Sequence, residues 1–187
     1  MVLVGPDGVG KSGLASALLE MTPAPSCYFH FRPPLRKPLL TRVPEEPPKA
    51  KNRESTWPPL GWVRLGIARV RFWAGYLRVV RPAIRRGALV VGDRWAYGYL
   101  VQPRALRYGG PRWLARLMIG VLPTPHLVVN LVAPPGEIHR RKQELTEVEI
   151  AHELEAWAAL PAPRMITVDA IQTSREMADR VLTELAL

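Results

Sequence analysis

Gly5-Pro6-Asp7-Gly8-Val9-Gly10-Lys11-Ser12 is the stretch on which the reading of this chain turns. The octet matches G-x-x-x-x-G-K-[ST] at every fixed position, and it lies between an apolar run at 1–4 and a helical pattern at 14–20. Its glycines let the backbone curl until several N–H groups face one phosphate. Lys11 supplies a point charge for the β- and γ-phosphates, and the Ser12 hydroxyl suits Mg²⁺. The helix that starts there adds its positive end. The segment reads as a phosphate-binding loop.

Outward from the loop, short apolar runs alternate with amphipathic stretches. Residues 27–31 are aromatic and strand-like, and Pro33-Pro34 ends them. Residues 33–59 carry eight prolines, with Lys49, Lys51, Asn52 and Arg53 among them, and read as a loop or mobile insertion. A long helical pattern covers 60–86, open to a break near Pro82. Its apolar positions Val63, Ile67, Val70, Trp73, Leu77, Val80 and Ile84 recur every three or four residues, and Arg64, Arg71, Arg78 and Arg85 recur every seven on another face. Strands are expected at 88–91, 126–132 and 165–168, and helices at 111–121, 146–160 and 174–185. This alternation predicts an α/β fold with a mostly parallel sheet covered on both faces by helices, in one domain spanning 1–187.

Three further segments carry chemistry. Leu89-Val90-Val91-Gly92-Asp93-Arg94-Trp95 places an acid where a buried strand ends, the usual ligand edge of a doubly wound sheet. Asp93 is expected either to hold a Mg²⁺-bound water or to act on an acceptor, and Arg94 to grip an acceptor phosphate; a local salt bridge is the plainer alternative. Glu137-Ile138-His139-Arg140-Arg141-Lys142 reads as a basic loop whose charges suit a transferring phosphoryl group, or as a solvated turn. Asp7 either faces the acceptor or shapes the loop. Tyr97, Tyr99 and Gln102 either flank a base or sugar or pack the core. His139 has no companion ligand.

Composition bounds the rest. The chain has 187 residues with 48% hydrophobic content, enough to bury a core. One cysteine, Cys27, excludes a disulfide framework. No apolar run approaches the roughly 20 residues that span a bilayer, and the start lacks a signal peptide's basic region, so a reduced cytoplasmic protein is expected. Net charge is +10, from 21 Arg and 5 Lys against 16 acids. Such an excess attracts polyanions, and arginine suits bidentate phosphate contacts.

The loop resembles the G-x-D-G-x-G-K-[ST] loop of thymidylate kinases. That family is also similar in the step Arg81-Pro82-Ala83, in Gly87, in the acid-arginine-aromatic turn Asp93-Arg94-Trp95, in the strand and proline before Arg140-Arg141-Lys142, and in the last strand ending Val168-Asp169-Ala170. The resemblance covers nearly the whole chain outside 33–59. It implies a three-layer α/β/α sandwich of the P-loop nucleoside-monophosphate-kinase type, with a lid at about 136–146. ATP would be bound by Gly5, Asp7, Gly8, Val9, Gly10, Lys11, Ser12 and Gly13, with Asp169 and Ala170 near the adenine. Mg²⁺ would rest on Ser12 and Asp93. Lys11, Asp93, Arg94, Arg140 and Arg141 would be catalytic, and Asp7, Arg71, Arg94 and Tyr99 would meet the acceptor. The partners implied are a nucleoside monophosphate, such as dTMP, or a related small anion, and a second copy through the long helix.

Departures from the family fall mostly on the acceptor side. Gly13 stands where a second hydroxyl residue is usual, and the strand before Arg32-Pro33 lacks Arg-Glu-Pro. An ATP-dependent kinase is therefore expected, with the acceptor left open. The alternatives are an ATPase or regulatory nucleotide-binding protein associated with nucleic acid, though no nucleic-acid module is recognisable, and a family member that binds nucleotide without turnover.

Overall fold

The computed structural model describes residues 1–35, 38–44 and 58–186; Lys49, Lys51, Asn52 and Arg53 lie outside them. Five parallel strands form one sheet: β1 (Val2–Val4), β2 (Ser26–His30), β3 (Leu89–Asp93), β4 (Val128–Val132) and β5 (Met165–Asp169), in the order β2-β3-β1-β4-β5. The helices are α1 (Lys11–Met21), α2 (Pro58–Gly75), α3 (Arg81–Arg85), α4 (Gly98–Val101), α5 (Arg112–Gly120), α6 (Pro135–Arg141), α7 (Glu147–Ala158) and α8 (Ser174–Ala186).

Alternation along each strand divides the core in two. Val2, Val4, Phe29, Val90 and Val128 pack with Leu65 and Phe72 of α2, Ala115 and Met118 of α5, and Trp157 of α7. Leu3, Val91, Val129, Leu131 and Val168 pack with Leu14 and Leu18 of α1 and Met177 and Val181 of α8. The expected sheet with helices on both faces is the one observed. Within 33–59, Leu40 exchanges two backbone hydrogen bonds with Tyr28, N–O distances 2.7 and 2.9 Å, and so covers part of the free edge of β2.

Local chemistry explains several boundaries. Thr146 and Glu149 form a capping box that starts α7. Helical backbone runs on past Pro82 instead of breaking there. A π-helical turn, Tyr76–Val80, precedes α3 and absorbs the hydrogen bond that proline cannot donate.

One expectation needs correction, and one pattern gains a direction. Residues 137–142 are not a loop: the last five of the seven residues of α6 and the residue that follows it occupy that region, and the helix opens on Pro135, whose fixed φ suits a first turn. The apolar stripe of the long helix faces outward. Val63, Ile67, Val70, Trp73, Leu77 and Ile84 are exposed, with Val70 at 67%, while the buried line is Gly61, Leu65, Ala68, Phe72, Gly75 and Val80. Glycine on that line lets the helix approach its neighbours closely: a Cβ at Gly75 would lie 2.6 Å from the Pro33 carbonyl oxygen.

This orientation fixes opposite outcomes for neighbouring truncations. Phe72→Ala, at a fully buried ring, should cost about 3–5 kcal/mol, whereas Val70→Ala should change stability by less than about 0.5 kcal/mol. Denaturant unfolding of both variants checks it; the reverse ranking would turn the helix around.

Candidate active site

The site is assembled at the C-terminal edge of the sheet. Because β1 lies between β3 and β4, the loop that follows Val4 emerges beside the end of β3, with Leu3 and Asp93 in register. Gly5 leaves the strand at φ 138°, and a Cβ there would sit 2.8 Å from the Leu131 carbonyl oxygen. Gly8 has φ 87° and no room either, since Lys142 Cβ at the end of α6 would be 2.8 Å away. Only glycine fits either position.

Lys11 is 6% exposed. Its Nζ donates to the carbonyls of Gly5 (2.9 Å) and Pro6 (2.6 Å) and lies 3.7 Å from Asp7. Burial pulls its pKa below the ordinary lysine value, while the charges of Asp93 and Glu153 pull it back up. The Ser12 hydroxyl makes no side-chain hydrogen bond to the described residues, which leaves it open to a metal. Gly13 packs on the first turn of α8: a Cβ there would be 2.7 Å from Ser174 Oγ, so a hydroxyl from another helix fills the space of the missing side chain.

Asp93 is 4% exposed. Its Oδ2 accepts from His30 Nδ1 at 2.9 Å and from the Tyr28 hydroxyl at 3.3 Å. Its Oδ1 is buried without a hydrogen-bond partner among the described residues. Burial, then the Asp93 charge, pushes the Tyr28 hydroxyl well above the usual tyrosine range.

Arg94 follows at φ 67°. One terminal nitrogen donates to Asp7 of the phosphate loop and the other to Gln102 Oε1 at 2.9 Å. Gln102 Nε2 in turn donates to both oxygens of Glu153 on α7, at 3.0 and 2.9 Å. A carboxylate only accepts, so Glu153 fixes which end of the Gln102 amide meets Arg94. Burial raises the Glu153 pKa, against the opposing pull of the Gln102 bond and of Arg94 and Lys11.

A cleft of about 310 Å³ opens beside these groups, lined by His30, Arg32, Arg94, Gln102 and Arg107 among others. The smaller cavity of about 100 Å³, bounded by Trp95, Ile119 and Pro163, has no charged lining residue among the described residues.

Lys11, Asp7, Asp93 and Arg94, all singled out from the sequence, are thus brought together. Others stand further off. Tyr99 is buried in a ring cluster, 5.9 Å from Phe31 and 5.9 Å from Tyr108 between centroids. Arg71 is exposed on α2, where its charge and that of Arg32 act on Tyr99. Arg140 points outward, 76% exposed, on Glu137 at 2.7 Å. Arg141 donates to the Ala170 carbonyl at 3.3 Å, and Asp169 accepts from the Ile171 amide at 2.9 Å.

His30, Arg32, Arg107 and Glu153 are the additions that sequence reasoning missed. A lone histidine in an aromatic strand and a glutamate on a polar helix face carry no local signal. The departure at 32–33 from Arg-Glu-Pro was the one pointer toward the first two.

No protein-family profile matches the chain, and no curated protein is similar to it in sequence. Among solved structures, it is similar to a deoxyadenosine kinase from M. mycoides with bound dATP. The match covers 100% of this chain and 98% of that one, at 13% identity and a TM-score of 0.53. The architecture is that of a P-loop kinase fold.

Proposed function

We propose that the chain is an ATP-dependent phosphotransferase, thymidylate-kinase-like in build, that moves the γ-phosphoryl group of ATP onto a small anionic acceptor such as a nucleoside monophosphate (dTMP or similar). One observation carries this reading: Lys11, at the head of an intact phosphate loop, shares a buried charge network with Asp7 and Arg94 beside a cleft rich in guanidinium groups. The deoxyadenosine kinase of similar fold holds dATP, which supports a nucleotide ligand for this chain.

In this reading the loop amides and Lys11 bind the donor phosphates, Lys11 exchanging the Gly5 and Pro6 carbonyls for phosphate oxygens. Asp169 and Ala170 border the base. Arg140 and Arg141, carried by α6 above Gly8, close on the phosphates and exclude water. Asp93 is already bound to His30 and Tyr28 on one oxygen, so of the two roles open to it we assign the acceptor side. Ser12 is then the residue that would hold Mg²⁺, which supplies charge neutralisation on the β- and γ-phosphates when bound. Phosphoryl transfer asks the protein mainly for such positioning and charge.

The exposed apolar residues fit the expected second copy. Trp73 Nε1 donates to the Val121 carbonyl at 3.0 Å, which ties α2 to the residue after α5, and Val70 and Leu77 on the long helix and Trp113 and Leu117 on α5 are exposed. Exposed apolar residues on these two helices suit an interface.

ADP release from ATP·Mg²⁺ over a panel of nucleoside monophosphates and sugar phosphates tests the activity. Stimulation by one acceptor, lost by about 10²–10³-fold in Lys11→Ala, is expected for removal of one preorganised charge; a chain that does not bind ATP sinks the reading. For the assembly, sedimentation should give a dimer whose Val70→Asp, Leu77→Asp variant is a folded monomer, and a monomeric wild-type chain at tens of micromolar would remove that interface.

A further inference from the structure

We propose that the hydroxyl of Ser174, carried by α8, binds the α-phosphate of the donor nucleotide in place of the side chain that Gly13 lacks. The proposal rests on the phosphotransferase reading and adds a donor-binding residue to it.

Gly13 lies in the first turn of α1, directly after Lys11 and Ser12. It is not among the glycines at positive φ, which are Gly5, Gly8, Gly10 and Gly87. Its backbone conformation therefore suits any residue, and glycine within a helix is less stable than alanine. Space gives the reason for it instead. A Cβ at residue 13 would lie 2.7 Å from Ser174 Oγ and 3.9 Å from Ser174 Cβ, with no other neighbouring element within 4 Å among the described residues. What excludes a side chain at residue 13 is one hydroxyl group.

The packing of α1 on α8 puts that hydroxyl there. Leu14 and Leu18 share a buried cluster with Met177, Ala178 and Val181. Ser174 stands one turn before Met177 and so tops this contact beside Gly13. The helix start does not use its hydroxyl. Thr173 serves as the cap: its amide and hydroxyl donate to Glu176 Oε2 at 2.9 and 2.8 Å, and its Oγ1 accepts from the Glu176 amide at 3.3 Å. Ser174 Oγ makes no hydrogen bond to the described residues. Ser174 is partly exposed and Gly13 is exposed, so a ligand can reach the hydroxyl from solvent.

Position along the donor decides which phosphate it meets. In the phosphotransferase reading Lys11 and Ser12 serve the β- and γ-phosphates, and Asp169 and Ala170 border the base. The Asp169 carboxylate accepts from the Ile171 amide at 2.9 Å, and the turn so formed leads into α8, whose first residue is Ser174. Ser174 thus lies between the residues assigned to the outer phosphates and those assigned to the base, which is where a nucleotide carries its α-phosphate. A hydroxyl donates one hydrogen bond, and an ionised phosphate oxygen accepts it strongly. The competing role is a hydroxyl that only fills space. A filler has no preference between the two non-bridging α-oxygens, whereas a donor aimed from one side has.

Titration calorimetry of the full chain with ATP·Mg²⁺, and with the two diastereomers of ATPαS, separates these roles. Ser174→Ala should weaken ATP binding about tenfold, the scale of one hydrogen bond to a charged group. The ratio of affinities for the two ATPαS diastereomers should shrink severalfold in that variant, while the ratio for ATPβS stays as in the wild type. Each ratio is read on one protein, so a change in folded fraction does not alter it. Gly13→Ala keeps the hydroxyl but forces it to turn away, and should weaken ATP by a similar factor. Adding Gly13→Ser to Ser174→Ala returns a hydroxyl from α1 and should recover most of the lost affinity. ATP bound equally by wild type and Ser174→Ala, an ATPαS ratio that the substitution leaves unchanged, or no recovery in the double variant overturns this proposal alone. A wild-type chain that binds no ATP overturns the phosphotransferase reading and this proposal together.

Discussion

The position of β1 between β3 and β4 is the constraint on which the molecule depends. The strand is three residues long and fully buried, yet its pairing on both sides sets where every functional group emerges. Leu3 aligns with Asp93 on one flank and Val129 on the other, so the loop after β1, the acid-arginine turn and α6 all leave the same edge. Parallel strands make this possible, because each ends in a loop at the same side of the sheet. The cost is that so short a strand gains little from its own backbone bonds. Burial on both faces, by Leu14 and Leu18 on one side and Phe72 and Trp157 on the other, stabilises it instead.

Charge inside the site is arranged as a chain of alternating sign. Lys11 faces Asp7, Asp7 faces Arg94, and Arg94 is joined through Gln102 to Glu153. Each member is partly or wholly removed from water, where an unpaired charge would cost several kcal/mol. The pairing explains how an excess of positive charge can be kept at a sheet edge before any phosphate arrives. It also ties three separate elements together: the loop after β1, the turn after β3 and α7.

The loop after β1 was legible in the sequence and the cleft beside it was not, for a physical reason. The loop is one contiguous segment whose conformation depends on its own glycines, so it can be read locally. The cleft takes residues from the end of β2, the turn after β3 and the stretch around Arg107, and only register brings His30 to Asp93 across 63 positions. The buried face of the long helix was hidden for a related reason. Apolar residues occupy more than one of its faces, and the buried line includes Gly61, Ala68 and Gly75, which hydropathy does not mark. Alternation of strands and helices was legible because it depends on periodicity alone.

Strain and aromatic packing are complementary beside the cleft. The turn after β3 carries Arg94 and Trp95 at φ of 67° and 49°, conformations a free chain would leave. Trp95 is held there by the ring of Phe72 at 4.8 Å and that of Phe29 at 5.9 Å, both edge-on. Phe31, itself at φ 58°, meets Phe72 at 5.8 Å and Tyr99 at 5.9 Å. Each such pair contributes about 0.5–1.5 kcal/mol beyond area burial, comparable with the strain at one residue. The aromatic cluster on the α2 side of the sheet thus does for the cleft what glycine does for the loop after β1. It permits a backbone path that positions guanidinium groups toward the cleft, and it does so rigidly.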